Sequence, residues 1–257
     1  MKTLLLILCL LLLPTLLYAG GGMMLGIVGG GTPAAGGPSA LYTAAVAVWD
    51  FESGTGTVDT KGTHTLTANA DATISATLPA VGTYSGLCDG TGDYWSLADD
   101  PAFDLAGNYS VSFWVKLTTA ADCSFIQKYA SGEGWEVSST YITDGWKFVV
   151  QNYAGWADTT ASFTTYTTPT ATWIHLVIVY DGAHIIAYGS VATFGDVLNA
   201  VEVDCTRNPG ANTAELWIGR GNEVGTGYLN GRLDEVVVWG SAITATDAAN
   251  LFAKSWR

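Results

Sequence analysis

From residue 45 onward the chain alternates short apolar runs with clusters of Gly, Asp, Asn and Thr, the texture of strands and turns. Across residues 109–118, Val111, Phe113, Val115 and Leu117 fall on one side, and Ser110, Ser112, Trp114 and Lys116 on the other. The first side is core and the second is at least half wet. Residues 173–180 are apolar on both sides apart from His175, which predicts a central strand covered on both faces. Asp181-Gly182 then turns the chain into a strand at 185–188. The same reading predicts strands at 45–51, 94–97, 124–129, 135–138, 146–152, 215–219 and 232–239. Helical periodicity is confined to the end, where Thr246 is expected to cap a short run through Ala248, Leu251 and Phe252. Short strands at regular spacing with turn chemistry between them predict an all-β fold, a two-sheet antiparallel sandwich of jelly-roll type with a short C-terminal helical turn.

The pattern before residue 45 is different. Met1-Lys2-Thr3, an apolar run to Leu13, Pro14 and the small exit residue Ala19 read as a secretory signal over residues 1–19. Residues 20–44 are Gly-rich and almost uncharged, a flexible linker, and the folded domain is expected over 45–257. Pro14 and Gly20-Gly21-Gly22 interrupt the stretch a membrane span would need, so no stable membrane insertion is expected once the leader is removed. The expected location is extracellular or at the cell surface. With 257 residues, and 49% of them hydrophobic, the chain suits one large β domain. A net charge of −13, from 10 Lys and Arg against 23 Asp and Glu, repels polyanions and makes nucleic acid an unfavourable partner. Cys88, Cys123 and Cys205 remain after export; either one disulfide with a thiol left over or three small buried residues would fit.

Six segments in order carry a family resemblance. They are Val46-Ala-Val-Trp-Asp-Phe-Glu52, Gly86-Leu-Cys-Asp-Gly-Thr-Gly-Asp-Tyr-Trp-Ser-Leu97, the run from Tyr109 to Lys116, Trp173-Ile-His-Leu-Val-Ile-Val-Tyr-Asp-Gly182, Glu215-Leu-Trp-Ile-Gly219, and Gly231-Arg-Leu-Asp-Glu-Val-Val-Val-Trp239. Together they resemble the laminin-G-like, concanavalin A-like lectin sandwich family, which binds more often than it catalyses. The match is loose at Ile185-Ile-Ala-Tyr-Gly189 and across 191–211. The resemblance implies a structural calcium where the first and last strands meet, held by Asp234 with oxygens near Asp50 and Asp59. The alternative for Asp234 is a carboxylate satisfied by backbone N–H groups of a neighbouring loop. Strict alternation would put Leu233, Glu235, Val237 and Trp239 on one side and Asp234 on the other. The turn Asp89-Gly-Thr-Gly-Asp93 could also hold a cation, though Gly-Asp pairs are more often plain turn chemistry.

The residues themselves offer little catalysis. A retaining glycosidase needs two carboxyls about 5–5.5 Å apart. The nearest row, Glu202-Val-Asp204, continues to Thr206, and Glu133 and Glu136 are spaced unevenly for one side of a strand. His64, His175 and His184 are not at metal-ligand spacing, and His175 reads as a hydrogen-bonded core residue. Aromatics are more promising, because a pyranose offers an apolar C–H face and a rim of hydroxyls. Trp146, Gln151, Asn152, Tyr153 and Trp156, with Trp135, form the expected ligand-binding set, in which rings stack on sugars and amides fix hydroxyls. The function expected is therefore a secreted, non-catalytic binding module for a glycan or another surface ligand. A structural or adhesive surface protein that uses the sandwich to contact a protein partner is the alternative, and a glycan hydrolase is the second.

Overall fold

β-Branched and aromatic residues at every second position make strands with one greasy side, and that side has to be covered. The computed structural model describes residues 39–52, 57–119, 121–142, 145–154, 157–163, 171–191, 201–221 and 227–253, with backbone alone for 141–142, 145–148, 157–163 and 190–191. The elements run α1 (Ala40–Ala44), β1 (Ala47–Trp49), β2 (Thr67–Asn69), β3 (Thr73–Ser75), β4 (Ser85–Asp89), β5 (Tyr94–Leu97), β6 (Tyr109–Leu117), β7 (Cys123–Ala130), β8 (Glu133–Ile142) and β9 (Gly145–Ala154). They continue with β10 (Ala157–Phe163), β11 (Ile174–Tyr180), β12 (His184–Val191), β13 (Val201–Asp204), β14 (Leu216–Ile218), β15 (Asn230–Trp239) and α2 (Ala245–Phe252).

An eight-stranded sheet has the order β13-β12-β11-β6-β15-β4-β3, with β1 also paired to β15. A seven-stranded sheet has the order β10-β9-β8-β7-β14-β5-β2. The main core lies between them, where Trp49, Val111, Phe113 and Val115 of the first sheet join Trp95, Phe125, Trp135, Val137 and Ile218 of the second. This is the two-sheet sandwich the alternation predicted.

The first sheet is covered on its other side as well. Val48, Val177, Val179, Val237 and Trp239 form a second core with Ile243, Ala248 and Leu251, against which Leu41 and Tyr42 of α1 pack. This explains why β11 is apolar on both sides. His175 is buried there, 2.9 Å from the Ser112 hydroxyl and stacked on Trp114, with Phe252 of α2 beside both rings. The cap of α2 is Thr244 and not Thr246: its hydroxyl accepts from Asp247 N–H, while the Asp247 carboxylate accepts from Thr244 N–H. A carboxylate three residues after the cap closes this reciprocal box, and Thr246 has none there.

The domain boundary also differs from expectation. The compact unit begins at Pro38, and 39–44, the end of the expected linker, forms α1 with Ser39 as its cap. Trp239 Nε1 donates to Leu41 O, and Lys61 Nζ donates to Thr43 O and Ala45 O. The expected leader and the rest of the linker lie outside the described residues. Among the described residues no helix is long and apolar enough to cross a membrane.

Strict alternation fails in β15. The register against β6 shifts between Asp234 and Val237, and Glu235 takes φ +51°. Leu233, Val236 and Val238 therefore face the main core, whereas Val237 and Trp239 face the helices. An extra residue in one strand is a β-bulge, and it re-aims the side chains around it. Just before it, Gly231 lets β15 approach β6 closely, since a Cβ there would run into Lys116 O.

Candidate functional site

Each of the three carboxylates expected to hold calcium accepts at least one backbone N–H. Asp234 is fully buried; its Oδ2 accepts from Ala80 and Val81 N–H, both at 2.9 Å, and its Oδ1 from Glu235 N–H at 2.9 Å. Asp59 Oδ1 accepts from Thr63 and His64 N–H at 2.7 and 2.9 Å, and Asp50 Oδ1 from Glu52 N–H at 3.1 Å. With both oxygens accepting amide hydrogens, Asp234 fits the alternative of a carboxylate satisfied by backbone N–H groups. Among the described residues no group of three or more His, Cys, Asp or Glu is placed to hold a metal. Burial pushes the Asp234 carboxyl up to about 8, and the neighbouring Glu235 charge adds to this against the pull of the donors. In the second acidic turn, Asp93 accepts from Asp71 and Asp89 N–H and Asp89 from Thr91 N–H, which is turn chemistry. Lys128 carries a buried ammonium 2.9 Å from Asp99, 2.7 Å from Asp104 and 2.7 Å from Asn212 O.

Cys88, Cys123 and Cys205 are free and buried, so the reading without a bridge holds. Burial pushes the Cys123 thiol up to about 12, although a hydrogen bond with Ser139 acts the other way.

The expected ligand set divides. Trp135 is 0% exposed and its Nε1 donates to Phe103 O at 2.8 Å, which makes it a core residue rather than a loop platform. Asn152 is also 0% exposed; it accepts from Tyr109 O–H at 2.8 Å and donates to Arg207 O at 3.0 Å. Both fall in strands that the sequence predicts, and alternation in β8 and β9 turns them to the core side with Val137 and Val150. Trp146 lies in β9 with its backbone opposite Tyr141, and its side chain is outside the description. Trp156 lies outside the described residues. Gln151 and Tyr153 are on the side of β9 that faces away from the core.

That side defines a surface. Trp95, Ile218, Ile126, Val137 and Val150 are in register across β5, β14, β7, β8 and β9 and belong to the main core. The adjoining row, Thr67, Ser96, Trp217, Gln127, Glu136 and Gln151, therefore points outward. The middle of this row, Gln127 and Glu136, is enclosed, at 1% and 0% exposure, while Trp217 and Gln151 are half-buried. In the next row Gly134 sits between Tyr129 and Tyr153, and with no side chain between them the two rings approach to 4.3 Å. β7, β8 and β9 carry two carboxylates, Glu133 and Glu136, and alternation sends them to opposite sides. The paired carboxyls of a glycosidase are not assembled on these strands.

At the β5–β14 end the surface becomes aromatic. Tyr94 and Trp217 meet edge to face at 5.8 Å, and Tyr228 lies 6.2 Å from Tyr94. The Arg220 guanidinium stacks over all three, at 4.0 Å from Trp217, 4.7 Å from Tyr94 and 5.6 Å from Tyr228. Trp217 Nε1 donates to Glu215 Oε2 at 2.9 Å, which fixes the indole. Arg220, Tyr94, Trp217 and Tyr228 are all half-buried. Sequence reading passed over this cluster, yet the signal was there: Trp217 alternates with Leu216 and Ile218, and Tyr94 with Trp95.

Comparison with known proteins settles the family. A laminin-G family model, described as concanavalin A-like lectin/glucanases superfamily, matches residues 89–249. The chain belongs to this superfamily. No curated protein matches the chain. Among solved structures, the receptor binding domain of botulinum neurotoxin C/D mosaic serotype is similar with TM-score 0.61 at 13% identity, over 82% of this chain and 51% of that one. The binding domain of botulinum neurotoxin DC in complex with SialylT is similar with TM-score 0.58 at 10% identity, over 83% and 51%. Domain 4 of AbnA, a GH43 extracellular arabinanase from Geobacillus stearothermophilus, in complex with arabinotriose, is similar with TM-score 0.56 at 17% identity, over 83% and 98%. This superfamily member spans about half the length of the neurotoxin domains and nearly the whole of the arabinanase domain. At these identities the likeness is one of fold.

Proposed function

We propose that this superfamily member is a non-catalytic, exported glycan-binding module whose contact surface is the outward side of the seven-stranded sheet. The observation that carries the reading is the cluster of Tyr94, Trp217 and Tyr228 with Arg220 on a sheet side turned away from the core. Rings presented edge-on and face-on at one end of a polar row suit an oligosaccharide, with the apolar face of one sugar on the aromatics and the hydroxyls of further units along the row toward Gln151, three strands away. The neighbours lend support, since one arabinanase domain of this fold is in complex with arabinotriose and one neurotoxin domain with SialylT. Binding without turnover fits the opposed placement of Glu133 and Glu136.

The test is a glycan array on the mature protein beside Trp217→Ala and Gln151→Ala. Hits weakened about ten-fold or more by Trp217→Ala are expected. An array silent for the wild type, with stable self-association in solution, would turn the reading to a structural or adhesive protein. Release of reducing sugar from a bound polysaccharide would end the non-catalytic reading.

A further inference from the structure

Arg220 is the feature of this surface that a neutral sugar does not explain. Its guanidinium lies over three rings and, among the described residues, meets no carboxylate, although the chain carries 23 acidic residues against 10 basic ones. Glu215, the described acidic side chain five residues before it, is hydrogen-bonded by the Trp217 indole. A guanidinium packed among rings at 4.0 to 5.6 Å uses its charge on their π faces and still carries its N–H donors along the edge of its plane. That edge matches a carboxylate through two parallel hydrogen bonds. Trp217 supports the guanidinium on one side, and Tyr94 and Tyr228 hold it in place.

From this arrangement we infer that the site selects a sugar residue bearing a carboxylate, with Arg220 taking the carboxylate and the adjoining aromatic edges taking the ring. The inference rests on the glycan-binding reading above. The net charge of −13 narrows the ligand further: the average field opposes a densely charged polyanion, whereas one carboxylate on an otherwise neutral glycan suffers little of that repulsion. The ligand class is therefore a neutral oligosaccharide with a single acidic unit. A hexuronate and a sialate share this chemistry.

Calorimetric titration with matched pairs tests it, with sialyllactose against lactose and a glucuronate-capped oligosaccharide against its glucose-capped counterpart. The wild type is expected to bind at least one acidic member about ten-fold or more tightly than its neutral partner, and the pair that does so identifies the source. Arg220→Gln is expected to bring the two members of that pair to parity. Arg220→Lys keeps a cation over the rings but loses the fork, so most of the preference should go while the melting temperature stays near that of wild type. This second variant keeps the test alive if Arg220→Gln fails to fold. Equal affinity of the wild type for both members of each pair, lost on Trp217→Ala, would overturn the selectivity and leave glycan binding standing. A preference that survives both Arg220 variants would overturn the assignment to Arg220. No binding of any probe, with a silent glycan array, would remove both readings together.

Discussion

Asp234 concentrates the opposing forces on a buried carboxylate. Three amide donors favour the charged form, whereas removal from water and the neighbouring Glu235 favour the neutral one, and the balance leaves its pKa at about 8. An unfolded Asp titrates near 3.9, so folding takes up a proton between roughly pH 4 and pH 8. The contribution of Asp234 to stability therefore falls as pH rises through that window, with a slope of up to about 1.4 kcal/mol per pH unit. Asp234→Asn cannot titrate. The stability of the wild type minus that of this variant, from urea unfolding, should fall steadily from pH 5 to pH 8. A constant or growing difference would mean that the donors, not burial, set the charge state. With both Asp234 oxygens taken by amide donors, equal melting temperatures are expected in calcium and in chelator, and a higher one in calcium would restore the metal site.

At the scale of elements, the edge strand β13 shows what the sequence did and did not disclose. Glu202 and Asp204 looked like the remnant of a catalytic row, but they lie exposed on the last strand of the first sheet, opposite Ile186 and His184. Charges on an exposed edge discourage another chain from pairing there. His184 gathers Asp181 at 3.3 Å, Glu202 at 3.6 Å and Asp204 at 3.7 Å. The hydrogen bond with Asp181, then the charges of Glu202, Asp181 and Asp204, raise its pKa above the ordinary histidine value. That link is fully made below the unfolded value of about 6.5 and lost as pH rises through the raised one. Amide protection in β13, corrected for intrinsic exchange, should therefore fall across neutral pH, and His184→Gln should abolish the fall. Protection that ignores pH in the wild type would leave the cluster without a holding role. Long strands were legible because β6 alternates over nine residues and β11 and β15 carry long β-branched apolar runs. β2 and β3, of three residues each and largely outside the core, carry no alternation to read. The candidate site was half legible: Gln151 and Tyr153 do line the outward side, but Trp135 and Asn152 were misplaced. Whether an aromatic in a strand faces out depends on a register that only the neighbouring strands fix.

For the whole molecule, helices cover the outer side of the first sheet, whereas the outer side of the second carries a polar and aromatic row that is enclosed at its middle and half-buried at Trp217 and Gln151. The cover on the first sheet is thin: α1 is five residues long and α2 eight. Helices this short are marginal alone, so they exist because Val237, Trp239 and Val48 need covering and because caps and cross-chain bonds hold them. Ser110 ties the approach to α2, donating to Ser241 O at 2.9 Å and accepting from Ile243 N–H at 3.0 Å, and Trp239 ties α1 through Leu41 O. A chain cut at the domain boundary expected from sequence loses this α1 cover. Compared with residues 38–257, residues 45–257 should lose the burial of Leu41 and the acceptor of the Trp239 indole, together about 2 kcal/mol. For a domain of this size that corresponds to a melting temperature lower by about 4–8 °C. Trp239 should gain solvent exposure, and its fluorescence should shift to the red and become quenchable by acrylamide. Equal melting temperatures and an unquenched Trp239 would show that α2 alone seals the sheet. Because α1 covers the other sheet, neither truncation should alter binding at Trp217, which separates the part of the fold that stabilises from the part that recognises.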